Sequence, residues 1–355
     1  MPEDLLLNVP LLRRRVPNLT SAARSVGLRP ATVSDLCTGK IPIGRAEVRT
    51  LAALASLAGC TLDELLVKTG AAGMVETGIK VIDLFAPLVR GGIAGAISRP
   101  GLGQVVLLQE LVRTLKSHRG FETVLWLPEE ERRFTDALAA DAGMTVSTLD
   151  EAAALLGSSG VEHDIFVVTD REKVLSGELT TIRERAREAG ARPVTFALYD
   201  LTGQTPDIEG APFGPLETVW RFEQHLATRV LYPAIDPIPS TSTLLDGAQI
   251  EASHFATVAN ARLVLRRYQE LRLLVSMRSA DAIPEPDRSV YRAGERLEAF
   301  MTQPFFSAEA HTKRPGAWVP LSEALDGVRR ILDGAVDGVP VEKLMFLGSL
   351  PRDLK

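Results

Sequence analysis

A chain of 355 residues is long enough for two or three domains, each with a core of its own. With 45% hydrophobic and 24% charged residues it is ordinarily globular, and a formal net charge of −5 excludes blanket, sequence-independent binding of nucleic acid by the whole surface. Charge is unevenly placed: Met1 to Gly70 carries nine Lys or Arg against six Asp or Glu, a small basic head before an acidic body. The two cysteines, Cys37 and Cys60, lack CxxC spacing and predict neither a disulfide framework nor a metal site. The opening MPEDLLLNVPLLRRR is acidic before it is apolar, the reverse of a secretory signal. No apolar run approaches the ~18 residues of a membrane span. A cytoplasmic protein without membrane contact is the expectation.

The head reads as helices only. LTSAARSVG, PATVSDLCTGK, AEVRTLAALASLAG and TLDELLVKTG each place apolar residues at helical spacing and end in Gly or Lys-Gly signals. The glycines inside TGAAGMVETG predict a linker. Strands and helices then alternate. AGAIS precedes a glycine loop and QVVLLQELVRTLKSH; TVLWL precedes RFTDALAADAG; MTVSTL precedes EAAALLG. DIFVVTD precedes GELTTIRERAREAG, and PVTFALYD follows. Such alternation predicts a mainly parallel sheet covered by helices. The remainder reads as helices broken at IPEPD and KRPGAWVP. Three parts result: a helical head over 1–70, an α/β core over 71–243 and a helical tail over 244–355.

Residues 18–66 resemble the Cro/repressor-type helix-turn-helix family. Gly27 falls at the turn, which needs a residue free to adopt positive φ, and Ala23, Val26, Val33 and Leu36 supply the packing faces. In that family the second helix enters the major groove. The resemblance therefore implies duplex DNA as partner, through Arg29, Ala31, Thr32, Ser34 and Asp35, with Lys40 placed for a phosphate. Asp35 opposes this, since a carboxylate repels phosphates. A protein-binding module of the same fold is the other reading.

From Glu76 to about residue 350 the chain resembles the ATP synthase catalytic beta subunit. ETGIKVIDLFAPLVRGGIAGAI and LVRTLKSHRGFETVLWL look like the segments around that family's nucleotide loop. LYPAIDPIPSTST resembles its "IYPAVDPLDSTS", and LEAFMTQPFFSAE resembles "IQRFLSQPFQVAE". The implied fold is α/β: a RecA-like, mainly parallel sheet with a C-terminal helical domain, the helical head standing in place of the family's N-terminal β-barrel.

An active phosphate loop reads GxxxxGK[ST]: backbone N–H groups cradle phosphates, Lys reaches the β and γ phosphates, and a hydroxyl holds magnesium. Here the loop is SRPGLGQV. Gly101 and Gly103 keep a tight turn at a helix N-terminus. Gln104 replaces the lysine and Val105 the hydroxyl, while Arg99 adds a charge elsewhere in the loop. By the resemblance Glu130, or Glu131 after a one-residue slip, falls on the glutamate that orients the attacking water. Asp170 likewise falls on the magnesium-binding aspartate. Tyr232 and Phe305 match aromatics that sandwich adenine, and His311 replaces another. The expectation is a pseudo-ATPase with no metal and no cofactor beyond weakly held nucleotide, since phosphoryl transfer relies on electrostatic stabilisation that Gln104 and Val105 cannot supply.

Three functions stay open at this point. The first is a DNA-binding regulatory or architectural protein whose ATPase-like body serves assembly, with self-association and protein partners. The second is a non-catalytic subunit of a rotary-ATPase-like complex with no DNA role. The third is a divergent active ATPase.

Overall fold

The computed structural model describes residues 5–7, 9, 12, 15–16, 19–37, 41, 43–68, 73–128, 135–160, 162–200, 216–246, 250–279 and 283–354. They divide into two compact units, Met1–Met74 with Thr243–Ala252, and Val75–Ser242 with Ser253–Lys355.

The head folds around helices α1 (Leu19–Ser25), α2 (Pro30–Cys37), α3 (Val48–Ala58) and α4 (Leu62–Leu65). Between α1 and α2 the chain turns at Gly27, whose φ of +73° an L side chain would resist. The amide of Leu28 closes that turn on the Ala23 carbonyl at 2.9 Å. Ala23, Val33 and Leu36 meet Leu51, Leu54 and Leu65 in one core, each large aliphatic contributing roughly 1.5–3 kcal/mol by leaving water. Val26, expected to share in this packing, is only half-buried and is not part of the core. One element goes beyond the helical periodicity: β1 (Leu5–Leu7) pairs antiparallel with β2 (Leu66–Lys68). The strand takes the end of the expected last helix, because Leu66 to Lys68 gains ladder hydrogen bonds from a partner some sixty residues away. Local spacing cannot register a pairing of that range.

In the second unit β3 (Met74–Val75) and β4 (Leu88–Val89) form a small sheet flanking helix α5 (Lys80–Phe85). The main sheet comprises β5 (Ile93–Ile97), β6 (Glu122–Trp126), β7 (Met144–Val146), β8 (Ile165–Asp170), β9 (Val194–Tyr199), β10 (Thr218–Arg221) and β11 (Thr241–Ser242). Their order is β11-β10-β5-β9-β8-β6-β7, and every neighbouring pair is parallel except β10 with β11. The fold class is therefore α/β, as the alternation of strands and helices predicts. Every residue of β8 and β9 is buried, which is why IFVVTD and VTFALY read as unbroken runs rather than alternating ones.

Helices cover both faces of the sheet. On one, α8 (Leu149–Ser159) and α10 (Glu178–Glu188) press Leu156, Leu179 and Ile182 onto Ile165, Val167, Phe196 and Leu198. On the other lies α6 (Gln104–Arg119), against β6, β8 and β9. The short helices α7 (Asp136–Asp141), α9 (Glu172–Leu175) and α11 (Gln224–Thr228) fill connections, while α12 (Thr243–Asp246) belongs to the first unit. The long α13 (Ala252–Met277), then α14 (Arg288–Met301), α15 (Glu309–Thr312) and α16 (Leu321–Leu332) complete the chain.

Buried polar side chains join the later part of the chain to the segment around α5. Gln303 donates to the carbonyls of Gly78 and Ala317 at 2.7 and 2.6 Å and accepts the Lys80 amide at 2.9 Å, which satisfies its amide fully. Lys80 donates its Nζ to the Leu347 carbonyl at 2.7 Å and lies over the Phe300 ring; burial pushes its ammonium well below the usual lysine range. Asp83 accepts from the Thr77 amide and hydroxyl and the Gly78 amide, yet burial still pushes its carboxyl up to about 7. Both groups act as internal braces.

Candidate pocket and the glycine loop

The loop after β5 runs along the carboxyl ends of the parallel strands, the edge where α/β sheets of this kind take ligands. Its glycines turn as the sequence requires: Gly101 has φ +83°, and Gly103, with φ +94°, is the N-cap of α6. A Cβ at either would meet nothing within 4 Å, so conformation rather than crowding selects glycine.

Gln104 does not face an open cradle. It is 4% exposed, and its Nε2 donates to the Asp200 carbonyl at the end of β9 at 3.0 Å. Its Oε1 has no hydrogen-bond partner among the described residues. Reversing the amide would set oxygen against the Asp200 carbonyl, so the donating orientation stands. Val105 is half-buried and offers no oxygen to a metal.

Next to this contact lies a buried ion pair. Arg171 donates from Nη1 to Asp200 Oδ2 at 3.0 Å, with side chains 10% and 5% exposed. The Arg171 amide also closes on the Tyr199 carbonyl at 3.0 Å, which locks the ends of β8 and β9 together. Asp170, the expected metal-binding aspartate, is 6% exposed, and its Oδ1 accepts the Glu172 amide at 2.6 Å at the start of α9. Glu130 and Glu131 lie outside the described residues. Arg171 and Asp200 escaped the sequence reading, although two strands ending in Asp with an Arg after the first is a visible signal of such a pair. Arg99 is exposed and reaches Gln224 Oε1 at 3.4 Å.

The other predicted nucleotide residues do converge. Gly103, Tyr232 and Phe305 line one cavity of about 470 Å³, together with Leu102, Val106, Phe222, Val230 and Phe346. Gly101 is exposed and is not part of the lining. His311 is exposed and is not part of the lining, whereas its neighbour Thr312 is. Phe222, Phe346 and Arg314 were missed because nothing local marks them. Arg314 stacks over the Phe346 ring at 4.4 Å and is the one charged side chain in the lining.

The walls of this cavity are tied together by Glu110. It is 1% exposed on α6 and accepts the amides of Phe306 and Ser307 at 3.0 and 2.8 Å. Burial raises its carboxyl above the usual range, opposed by those two amides and by Arg113. Through it the helix that begins at Gly103 holds the turn that presents Phe305.

The chain matches no protein-family model. Among solved structures, the chain is similar to an ATP synthase subunit, NeqB from Nanoarcheaum equitans, at a TM-score of 0.58 and 18% identity. The likeness is one of fold. It covers 77% of this chain and 78% of that one. Among the described residues no helix is long and apolar enough to cross a membrane, and no group of three or more His, Cys, Asp or Glu could hold a metal ion.

In the head, Arg29 lies just before α2 and is exposed, as are Ala31 and Ser34 on that helix; Thr32 and Asp35 are half-buried. Lys40 lies outside the described residues.

Proposed function

We propose that this protein is a non-hydrolysing subunit of a rotary-ATPase-like complex, in which the α/β body serves protein assembly. The observation that carries this reading is the inward turn of Gln104. At the position where a phosphate loop needs a cation aimed at its ligand, an amide is committed to the carbonyl of Asp200, beside an ion pair that fixes the sheet edge. Val105 removes the magnesium hydroxyl at the same step of the chain. Stabilising a transferring phosphoryl group requires both, so the body can contact neighbours without turning over ATP. The fold likeness to an ATP synthase subunit supports protein partners as the kind to expect. The full chain in ATP and magnesium should release phosphate no faster than the uncatalysed background. Magnesium-dependent release that disappears in Asp170→Asn would overturn the reading.

A second reading adds duplex DNA contact by the head. It is favoured by the exposure of Arg29, Ala31 and Ser34 along one stretch of the chain, with the Gly27 turn that sets α2 against α1. If it holds, the full chain binds duplex DNA more weakly as salt rises, and Arg29→Ala lowers the slope by about one charge. Absence of salt-dependent binding removes this reading and leaves the first intact.

A further inference from the structure

Helix α13 is 26 residues long, and one side of it is buried by His254, Thr257, Val258, Ala261, Leu265, Tyr268 and Leu271. The opposite side carries large apolar groups in water. Leu263 is 64% exposed, Leu273 65% and Met277 82%. Three or four such residues scattered over a surface would need no explanation, but these lie in register. Ala259, Leu263, Arg266, Glu270, Leu273 and Met277 follow one another at spacings of four, three, four, three and four, and all six are exposed. That is the 3.5-residue period of a seam between two helices. It is continuous over about 27 Å at 1.5 Å per residue.

The order of residue types in the seam identifies the occupant. The six positions are symmetric about residue 268, so a second copy of the helix laid antiparallel on a two-fold axis matches them pairwise. Leu263 then meets the second copy's Leu273, Ala259 meets its Met277, and Arg266 meets its Glu270, each pair occurring twice. A small residue opposite a long one, and leucine opposite leucine, keeps the helices in close approach. A parallel pairing would set Arg266 against Arg266 and Glu270 against Glu270, so charge selects the antiparallel arrangement. Arg266 makes no hydrogen bond or ion pair among the described residues. Glu270 is held by Arg267, which keeps a second acceptor in Asp287 when Glu270 turns to another partner.

We infer that α13 is a homodimer seam, in which two copies of this chain pair antiparallel through Leu263, Arg266, Glu270 and Leu273. The two-fold is isologous and closes on itself, so it yields a dimer and no filament. A single helix pair is a small interface, and association belongs to the micromolar range. The seam lies on the outer face of α13 and is separate from the carboxyl edge of the sheet, so it stands whether or not the body binds nucleotide.

Sedimentation equilibrium of the full chain over micromolar concentrations tests this. A reversible monomer–dimer equilibrium is expected. Arg266→Glu places two like charges opposite each other twice over and should weaken dimerisation by about tenfold or more, as should Glu270→Arg. Both residues are exposed, so far-ultraviolet circular dichroism should match the wild type. The double variant Arg266→Glu with Glu270→Arg restores the complementary pairs and should dimerise close to the wild-type constant. A chain that stays monomeric throughout would overturn the inference. So would a dimer indifferent to Arg266→Glu, or a double variant that fails to recover.

Discussion

Glu110→Ala should cost about 2–5 kcal/mol of folding stability, read as a shift of the urea midpoint with little change in slope. The substitution removes the acceptor for two backbone amides, Phe306 and Ser307, at a site where Glu110 itself is 1% exposed. A buried donor without an acceptor carries its full desolvation penalty, roughly 1–3 kcal/mol for each amide. Glu110→Gln keeps one acceptor oxygen and should lose about half as much. The helix and the turn would remain, but Phe305 would no longer be held against the helix that starts at Gly103. A loss below about 1 kcal/mol in Glu110→Ala would mean that water reaches these amides, and the account of a braced pocket would fall.

Gln104→Lys should destabilise the protein by about 2–3 kcal/mol and still release no phosphate. The position is 4% exposed, and the new side chain is one atom longer than the amide that now fits against the Asp200 carbonyl. Its ammonium would enter a region whose charges are already paired, next to the Arg171 guanidinium. Burial penalises the charged form, so the lysine either loses its proton or displaces its neighbours. Thermal unfolding and a phosphate-release assay on the same preparation decide it. A lysine variant as stable as the wild type, hydrolysing ATP with magnesium, would show that the loop had kept a working cradle.

The sheet was legible in the sequence because its central strands are buried on both faces. DIFVVTD and PVTFALYD each form a run too apolar and too β-branched to be anything but an inner strand, and both fall where β8 and β9 lie. The glycine loop was equally readable, since Gly101 and Gly103 are needed for positive φ. By contrast β10 is four residues of mixed character, TVWR, half-buried in alternation, and gains its identity from pairing with β5. The cavity was partly visible. Tyr232 and Phe305 were found through resemblance, whereas Phe222, Phe346 and Arg314 come from distant parts of the chain and carry no local pattern. The inward contact of Gln104 had no sequence signature at all: the substitution can be read, but the carbonyl it reaches lies 96 residues away.

Calorimetric titration of the full chain with adenosine and with ATP, each in magnesium, bears most directly on the central claim that the loop has exchanged phosphate capture for an internal contact. The cavity is mostly apolar, its polar groups being the Tyr232 hydroxyl, Gln303, Thr312 and Arg314, so a ring system is what it can accept. ATP should bind no more tightly than adenosine, because Gln104 and Val105 give the triphosphate and its magnesium nothing to hold. A magnesium-dependent preference for ATP of about tenfold or more, equivalent to about 1.4 kcal/mol, would contradict it.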